Sequence, residues 1–154
     1  MFDGFSDRTA HKNTININWM KEKKKELSSE ELCHLIVNGM LEKKAIDIVV
    51  MDLRKINSAI TDFFVICSGN SDTQLDAINT SVDEEVYKVT GQSPWHKEGR
   101  QIKEWILMDY VNVVVHIFKK DRREFYDLES LWGDAKITAI DEATFENKKN
   151  KPTV

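Results

Sequence analysis

The residues of this chain that could take part in catalysis or ligand binding form small groups, and no group contains all the residues that a catalytic site needs. The segment SGNS at 68–71 lies where a predicted strand meets a predicted helix, and the free amides of a helix N-terminus can receive a phosphate. Metal-dependent nucleotidyl transfer also needs paired carboxylates on a neighbouring strand. Asp52 and Asp109 lie near strand ends, but neither has a second acid two residues away. We therefore expect SGNS to be a helix-capping turn, with phosphate binding as the alternative.

Histidine and cysteine add no catalytic or metal site to this set. His96 and Glu98 form an HxE triplet, but the chain lacks the PCxxC segment that completes the zinc site of nucleobase deaminases. His116 alternates with apolar residues in a predicted strand, which indicates a satisfied, partly buried histidine. Cys33 and Cys67 lie in apolar surroundings and are expected to be reduced thiols. We expect no catalytic residue, no metal and no cofactor.

Aromatic side chains between residues 98 and 132 are a stronger signal than any of these polar groups. Trp105 begins a predicted strand directly after the charged segment QIKE, where one face should meet water. Tyr126 lies off the apolar stripe of the last predicted helix, whereas Leu128 lies on it and could serve either the core or an interface. Large apolar side chains with no catalytic residues nearby predict a surface that binds another macromolecule. Its expected acidic rim consists of Asp109, Asp127 and Glu129.

The length and composition of the chain indicate its class of fold, and its net charge indicates which kind of partner it can bind. A chain of 154 residues with 41% hydrophobic and 31% charged residues is typical of one globular domain. No apolar run approaches the ~20 residues of a membrane-spanning helix, and no secretory signal is evident, so we expect a cytoplasmic protein with no membrane partner. The net charge of −4 favours a basic protein partner over direct nucleic-acid binding.

Hydrophobic periodicity predicts a single α/β domain over residues 28–140, in the order αββαββα, with a mixed sheet flanked by helices. Ser28 and Glu31 form a capping box at the first helix, and Ser71 with Gln74 forms another. Asp121 with Glu124 is expected to cap the last helix. The predicted strands lie at 47–53, 62–68, 104–109 and 113–118, and the last two are expected to form an antiparallel hairpin.

The two ends of the chain lack these patterns. Residues 1–27 are expected to be a disordered lead-in, and residues 141–154 a flexible charged tail. Met20 directly precedes the first lysine-rich segment. We therefore expect that Met20 is the native start and that an upstream start adds the first 19 residues.

Several separated motifs resemble the ribosomal silencing factor family, RsfS, also known as the Iojap family. They are DIVVMDLRKINSAITDFFVICSGNS at 47–71, EG at 98–99, EWILMDYVNVVVHIF at 104–118 and REFYDLESLWGDA at 123–135. The motifs occur in the family's order, and the resemblance covers residues 28–135. It implies a nucleotidyltransferase-like shape without the catalytic carboxylates.

The resemblance also implies a function and a set of contact residues. Members of the family bind the large ribosomal subunit at ribosomal protein L-fourteen and block joining of the small subunit, which represses translation. The family's contact positions fall on Trp105, Tyr126 and Leu128, with Asp109 and Asp127 at the rim. Two alternatives remain: a nucleotide-dependent enzyme of the same shape, and a large-subunit assembly factor without repression. The free protein could also hide the patch in a homodimer.

One position departs from the family's pattern. Where many relatives have glycine after this Asp-aromatic or Asp-Leu pair, the chain has Val111. A β-branched residue resists positive φ, so we expect a differently shaped hairpin turn. The role of Tyr110, as a turn residue or a contact, stays open at this point.

Overall fold

The computed structural model describes residues 26–149, which form a mixed α/β domain as predicted. The helices are α1 (Ser29–Glu42), α2 (Asp72–Thr90), α3 (Lys120–Tyr126), α4 (Leu128–Leu131) and α5 (Glu142–Lys149). The strands are β1 (Ile46–Asp52), β2 (Phe63–Gly69), β3 (His96–Glu98), β4 (Trp105–Asp109), β5 (Val113–Lys119) and β6 (Lys136–Ala139). The lead-in predicted over residues 1–27 and the start at Met20 lie outside the described residues, apart from residues 26 and 27.

The six strands form one sheet in the order β3-β4-β5-β2-β1-β6. Only β2 and β5 run parallel, and every other neighbouring pair is antiparallel. The predicted antiparallel hairpin of β4 and β5 is confirmed, with Leu107 opposite His116. Strand β2 is buried along its whole length because both faces of the central sheet are covered there.

Helices α1 and α2 cover the first face of the sheet and build the larger core cluster. The capping box of α1 is confirmed, since Ser28 Oγ accepts from the Glu31 amide and Glu31 accepts from the Ser28 amide. Gly91 ends α2 in the left-handed conformation at φ +66°, as its sequence position predicts. No helix among residues 26–149 is long and apolar enough to cross a membrane.

The second face of the sheet is covered less completely. Helices α3 and α4 cover one part of this face, and the loop at 53–62 between β1 and β2 borders another part. The smaller core cluster lies between them and consists of Met51, Leu53, Phe64, Ile66, Phe118 and Leu128. Part of the apolar surface on this face is therefore not packed against any helix or loop within residues 26–149.

The last predicted helix is wrong in two details. It breaks into α3 and α4 at Asp127, which adopts a left-handed φ of +43°. The expected cap at Asp121 is also wrong, because Lys119 is the N-cap residue and makes no side-chain capping bond. Because of the break, Phe125 and Leu128 do not share one helical face, and Phe125 is 72% exposed.

The C-terminal segment differs from the flexible tail expected from residue 141 onward. Strand β6 pairs with β1, and α5 follows it directly. Phe145 on α5 is only 7% exposed, belongs to the larger core cluster and stacks on His34 with ring centroids 4.5 Å apart. A single aromatic side chain in an otherwise charged segment therefore anchors α5 to the domain.

Phe145→Ala is expected to lower the free energy of unfolding by about 3 kcal/mol, because it leaves a cavity in the core. Urea denaturation followed by circular dichroism measures this change. The exposed neighbour Glu146 supplies the control, since its alanine variant should change stability by no more than about 0.5 kcal/mol. A loss below about 1 kcal/mol for Phe145→Ala would contradict the docking of α5.

Val111 adopts the backbone conformation that its β-branched side chain disfavours. Its φ is +74°, and the Asn112 amide donates to the Tyr110 carbonyl at 3.0 Å, which closes a three-residue γ-turn. Asp109 Oδ1 accepts from the Val111 amide at 2.7 Å and holds the turn in place. The expectation that valine would avoid positive φ is therefore wrong. Tyr110 is half-buried against the larger core cluster, so it serves the core.

Val111→Gly is expected to raise the free energy of unfolding by about 1 kcal/mol. The strain of a β-branched residue at positive φ, about 1–2 kcal/mol, outweighs the extra unfolded-state entropy of glycine. Thermal or urea unfolding measures the gain. Asn112→Gly is the matched control in the same turn, because Asn112 has no positive φ and glycine there should not stabilise. A destabilised Val111→Gly variant would show that the turn is unstrained.

Candidate partner-binding surface

Trp105 and Tyr126, predicted from opposite ends of one segment, lie side by side in the structure. Strand β4 presents Trp105 on the second face of the sheet, where its ring stacks on Phe118 of β5 at 5.0 Å between centroids. Helix α3 follows β5 directly and returns Tyr126 to within 4.9 Å of the Trp105 ring. Aromatic contacts at these distances restrict the rings and give a rigid surface.

The solvent-accessible part of this cluster is what we call the aromatic patch, made of the exposed side chains Phe125 and Tyr126 and the partly buried Trp105. Tyr126 is 38% exposed and meets Phe125 edge to face at 5.3 Å. The Arg122 guanidinium lies 4.9 Å from the Phe125 ring centroid and 3.3 Å from Glu104. The aromatic patch is therefore apolar at its centre and framed by charge, an arrangement typical of binding surfaces.

A buried histidine fixes the orientation of Trp105. The indole Nε1–H of Trp105 donates to His116 Nδ1 at 3.0 Å. His116 is 3% exposed, and burial lowers its pKa from 6.5 to about 3, so the ring is neutral near pH 7. The sequence predicted a satisfied histidine, but only one ring nitrogen is satisfied. His116 Nε2 has no hydrogen-bond partner among the described residues.

The other predicted site residues do not form one continuous surface with Trp105 and Tyr126. Leu128 is 7% exposed and belongs to the smaller core cluster, so it supports the surface from below. Asp109 lies at the opposite end of β4 from Trp105, about 13 Å along the strand. Asp127 is exposed at the break between α3 and α4. Glu129 is bonded to Arg123 at 2.7 Å, which neutralises it as a rim charge.

Arg123 is the structural residue of this region that the sequence did not reveal. Its guanidinium donates to Glu129, to Ser68 Oγ and to the Asp47 carbonyl oxygen. It thereby joins α3 and α4 to β1 and β2 and fixes the helices that carry Tyr126. The REFY segment showed no distinctive spacing that would have predicted this role. The side chain of Ile60, which is 100% exposed, was also not predicted as part of a surface.

The SGNS turn has the geometry of a helix cap. Ser71 Oγ accepts from the Gln74 amide at 3.1 Å, as predicted. The Gln74 side chain accepts from the Asn70 amide instead of the Ser71 amide, so the capping box is shifted by one residue. Asp72 in the first turn pairs with Lys119 at 2.7 Å, and this hydrogen bond lowers the pKa of Asp72. The amides of Asn70 and Gln74 and the charges of Asp72 and Lys119 therefore have partners within the protein.

A crevice of about 840 Å³ opens beside this turn, at the ends of the parallel strands β2 and β5. Such strand ends are common ligand sites in α/β proteins. Two of its cations are already bonded, Lys119 to Asp72 and Arg123 to Glu129. The remaining lining is mainly acidic, which disfavours a phosphate. Its acidic residues are Asp47, Asp121, Glu124, Asp127 and Glu129.

Other polar groups considered from the sequence have structural partners. His96 Nε2 lies 2.8 Å from Glu98 on the exposed edge strand β3. Asp52 is bonded to Arg54 at 2.8 Å, and that hydrogen bond lowers the pKa of Asp52. Within residues 26–149, no group of three or more His, Cys, Asp or Glu side chains is placed to hold a metal ion.

Both cysteines are buried, and burial raises the pKa of each thiol to about 12. Because the thiolate is the reactive form, the folded protein is expected to react negligibly with Ellman's reagent at pH 8 within minutes. Two equivalents should react once guanidinium unfolds the chain, since the sequence contains Cys33 and Cys67 only. Fast reaction of one thiol in the folded protein would place that cysteine at an accessible site.

Comparisons with known proteins agree with one another. The family model described as "Ribosomal silencing factor during starvation" matches residues 26–154. A ribosomal silencing factor of Halalkalibacterium halodurans is 41% identical over 115 residues, or 75% of this chain and 97% of that protein. "Mitochondrial assembly of ribosomal large subunit protein 1" of Mus musculus is 31% identical over 100 residues, or 64% and 43%. A Chromobacterium violaceum crystal structure has a TM-score of 0.65 at 30% identity, covering 70% and 88%.

Proposed function

The chain belongs to the ribosomal silencing factor family, and on that premise we propose that it binds the large ribosomal subunit at ribosomal protein L-fourteen. Bound there, it blocks joining of the small subunit by occupying the surface where the subunits meet, and so represses translation. The role needs no catalysis. The observation that carries the proposal is the aromatic patch, held on a rigid strand and helix.

The energetics of interfaces support this use of the aromatic patch. Tryptophan and tyrosine side chains commonly carry most of the binding energy, and truncating one often costs ~2 kcal/mol or more. Trp105 and Tyr126 would be these anchors, with Leu128 supporting them from the core. Because stacking and one hydrogen bond already hold Trp105 in place, little side-chain entropy remains to be lost on binding.

Charge supports a basic protein as the direct partner. The chain carries a net charge of −4, and Asp109 and Asp127 flank the second face of the sheet at separate ends. An acidic surface attracts a basic ribosomal protein and accelerates the encounter, mostly at low ionic strength. We propose that these two aspartates supply the polar rim of the contact.

A second role, in assembly of the large subunit, is favoured by one observation. The similar Mus musculus protein is named for mitochondrial assembly of the ribosomal large subunit. The same contacts would serve either role, which differ in the particle that is bound. An assembly factor would prefer immature large subunits and would leave the joining of mature subunits unaffected.

Sedimentation through sucrose with isolated large subunits, small subunits and joined ribosomes tests the proposal. We expect co-migration with large subunits alone, and a decrease in joined ribosomes when the protein is added before mixing. Co-migration with large subunits without any effect on joining would favour the assembly role. Absence of co-migration with every particle would refute both roles. Sedimentation of the free protein reports whether two copies cover the aromatic patch.

A matched pair of variants assigns the surface. Tyr126→Ala is expected to weaken binding about 30-fold or more, which corresponds to a loss of ~2 kcal/mol. Tyr87→Ala is the control, since Tyr87 is 58% exposed on α2, on the opposite side of the sheet. Equal binding by both variants would remove Tyr126 from the contact.

A further inference from the structure

The uncovered part of the second face forms a groove of about 410 Å³ between the 53–62 loop and the end of α4. We call it the open groove. Pockets for small ligands typically measure about 300–1,000 Å³ and have mainly apolar linings with a few polar groups. The open groove has this composition, and its principal lining residues are Ile60, Thr61, Phe64, Leu107, His116 and Trp132.

Two buried polar atoms belong to residues of this lining and have no hydrogen-bond partner among residues 26–149. They are His116 Nε2 and Thr61 Oγ1. The Trp105 indole N–H can only donate, so His116 Nδ1 must accept from it, and the neutral ring carries its proton on Nε2. His116 therefore presents an unused N–H donor. Leaving such a donor buried and unpaired is costly, and a ligand acceptor would remove that cost.

We propose that the open groove binds a small neutral molecule that joins a carbonyl-type acceptor to an apolar ring or chain. The acceptor would receive the His116 Nε2–H, with the Thr61 hydroxyl as a second donor. The apolar part would pack against Phe64, Leu107 and Trp132. The proposal concerns a free ligand, and it goes beyond ribosome binding and does not depend on it.

The charges around the open groove determine the ligand class. Its lining contains no lysine or arginine, and Asp109 is its one ionisable acid. An anion would therefore lack a counter-charge and would meet a carboxylate. A cation would have to leave water for mostly apolar walls, and one oxygen of Asp109 is already used by the hydrogen bond from the Val111 amide. A neutral molecule avoids both costs.

Entry of the acceptor requires a small movement of the wall, because both polar atoms are buried although their residues line the open groove. Ile60 is fully exposed on the loop and loses no packing when it moves. Phe64 contacts His116 edge to face, with the two ring centroids 4.6 Å apart. The ring contact and the bond from Trp105 therefore hold the donor in place, while Ile60 at the rim of the open groove is free to move.

Titration of ¹⁵N-histidine-labelled full-length protein by NMR tests the ligand class with three probes of similar size. Acetanilide has a neutral acceptor, ethylbenzene has none, and benzoate is an anion. We expect acetanilide to shift the His116 Nε2 resonance and to bind at least tenfold more tightly than ethylbenzene, with no binding of benzoate. Equal affinities of acetanilide and ethylbenzene, tighter binding of benzoate, or no shift with any probe would overturn the proposal.

Two variants locate the site. Leu107→Trp fills the open groove while sparing His116, and it should weaken acetanilide binding at least tenfold. Ile102→Trp is its control, because Ile102 is 77% exposed and outside the groove. His116→Phe removes the imidazole donor and should reduce the preference for acetanilide over ethylbenzene. If His116→Phe does not fold, the Leu107→Trp variant alone tests the proposal. Acetanilide binding as tight as that of the unmodified protein would then overturn it.

Discussion

Trp105→Ala is expected to abolish binding to the large subunit and also to lower the free energy of unfolding by about 3 kcal/mol. The indole packs on Phe118 and Tyr126, and it supplies the only hydrogen bond that the His116 side chain makes among the described residues. Removing it creates a partial cavity and leaves His116 with two unpaired ring nitrogens. Sedimentation with large subunits measures the binding, and urea denaturation measures the stability.

This double effect changes how Trp105 has to be tested. The sequence alone suggested that alanine here would leave the fold intact, because the side chain was expected to lie on the surface. Trp105→Phe separates the two effects, since it keeps a stacked ring and removes the indole N–H. It should retain most of the core packing and lose about 1–3 kcal/mol for the orphaned His116 nitrogen.

Tyr126→Ala provides the complementary case. Tyr126 is 38% exposed, and its hydroxyl lies 3.5 Å from Glu104, at the limit of a hydrogen bond. Its loss should cost less than about 1 kcal/mol of stability while removing an anchor of the contact. If Trp105→Phe and Tyr126→Ala both fold and both bind large subunits with full affinity, the aromatic patch is not the contact surface.

The sequence predicted the helices and strands that have a strong hydrophobic period. Strand β2 is an apolar run buried on both faces, and α1 begins at a capping box, so local pattern and tertiary packing agree there. Strands β3 and β6 were missed. The first is three polar residues long, and the second has only the four residues KITA, so neither gives an apolar alternation long enough to identify a strand.

The candidate surface was only partly predictable for a related reason. Trp105 and Tyr126 lie close together because α3 follows β5 without a loop. The spacing of the residues did not predict this proximity, and only the resemblance to the family indicated it. The helical period does not reveal the break at Asp127, beside which Arg123 is bonded to Glu129 of α4 and to β1 and β2. Tertiary contacts overrode the local preference, and they placed Phe125 outside and Leu128 inside.

Acidification is expected to destabilise the protein well above the pH at which its carboxylates titrate. Burial lowers the pKa of His116 from 6.5 to about 3. Between these values the unfolded chain binds a proton that the native ring does not, so the free energy of unfolding falls as pH falls. The slope should approach 1.4 kcal/mol per pH unit, which gives a loss of about 2–3 kcal/mol at pH 4.5. Urea denaturation at half-unit pH steps measures the slope.

His116→Asn isolates this effect, because asparagine does not titrate and still offers an oxygen acceptor close to the position of Nδ1 for the Trp105 indole. Asp52 and Asp72 also have lowered pKa values, through hydrogen bonds from Arg54 and Lys119. Their contribution is lost only below their unfolded value of 3.8, so the interval from pH 6.5 to 4.5 belongs mainly to the histidine. The variant should show a much flatter profile in that interval. An unchanged slope would mean that His116 is protonated in the folded protein, and its Nδ1 would then be unable to accept the Trp105 hydrogen bond.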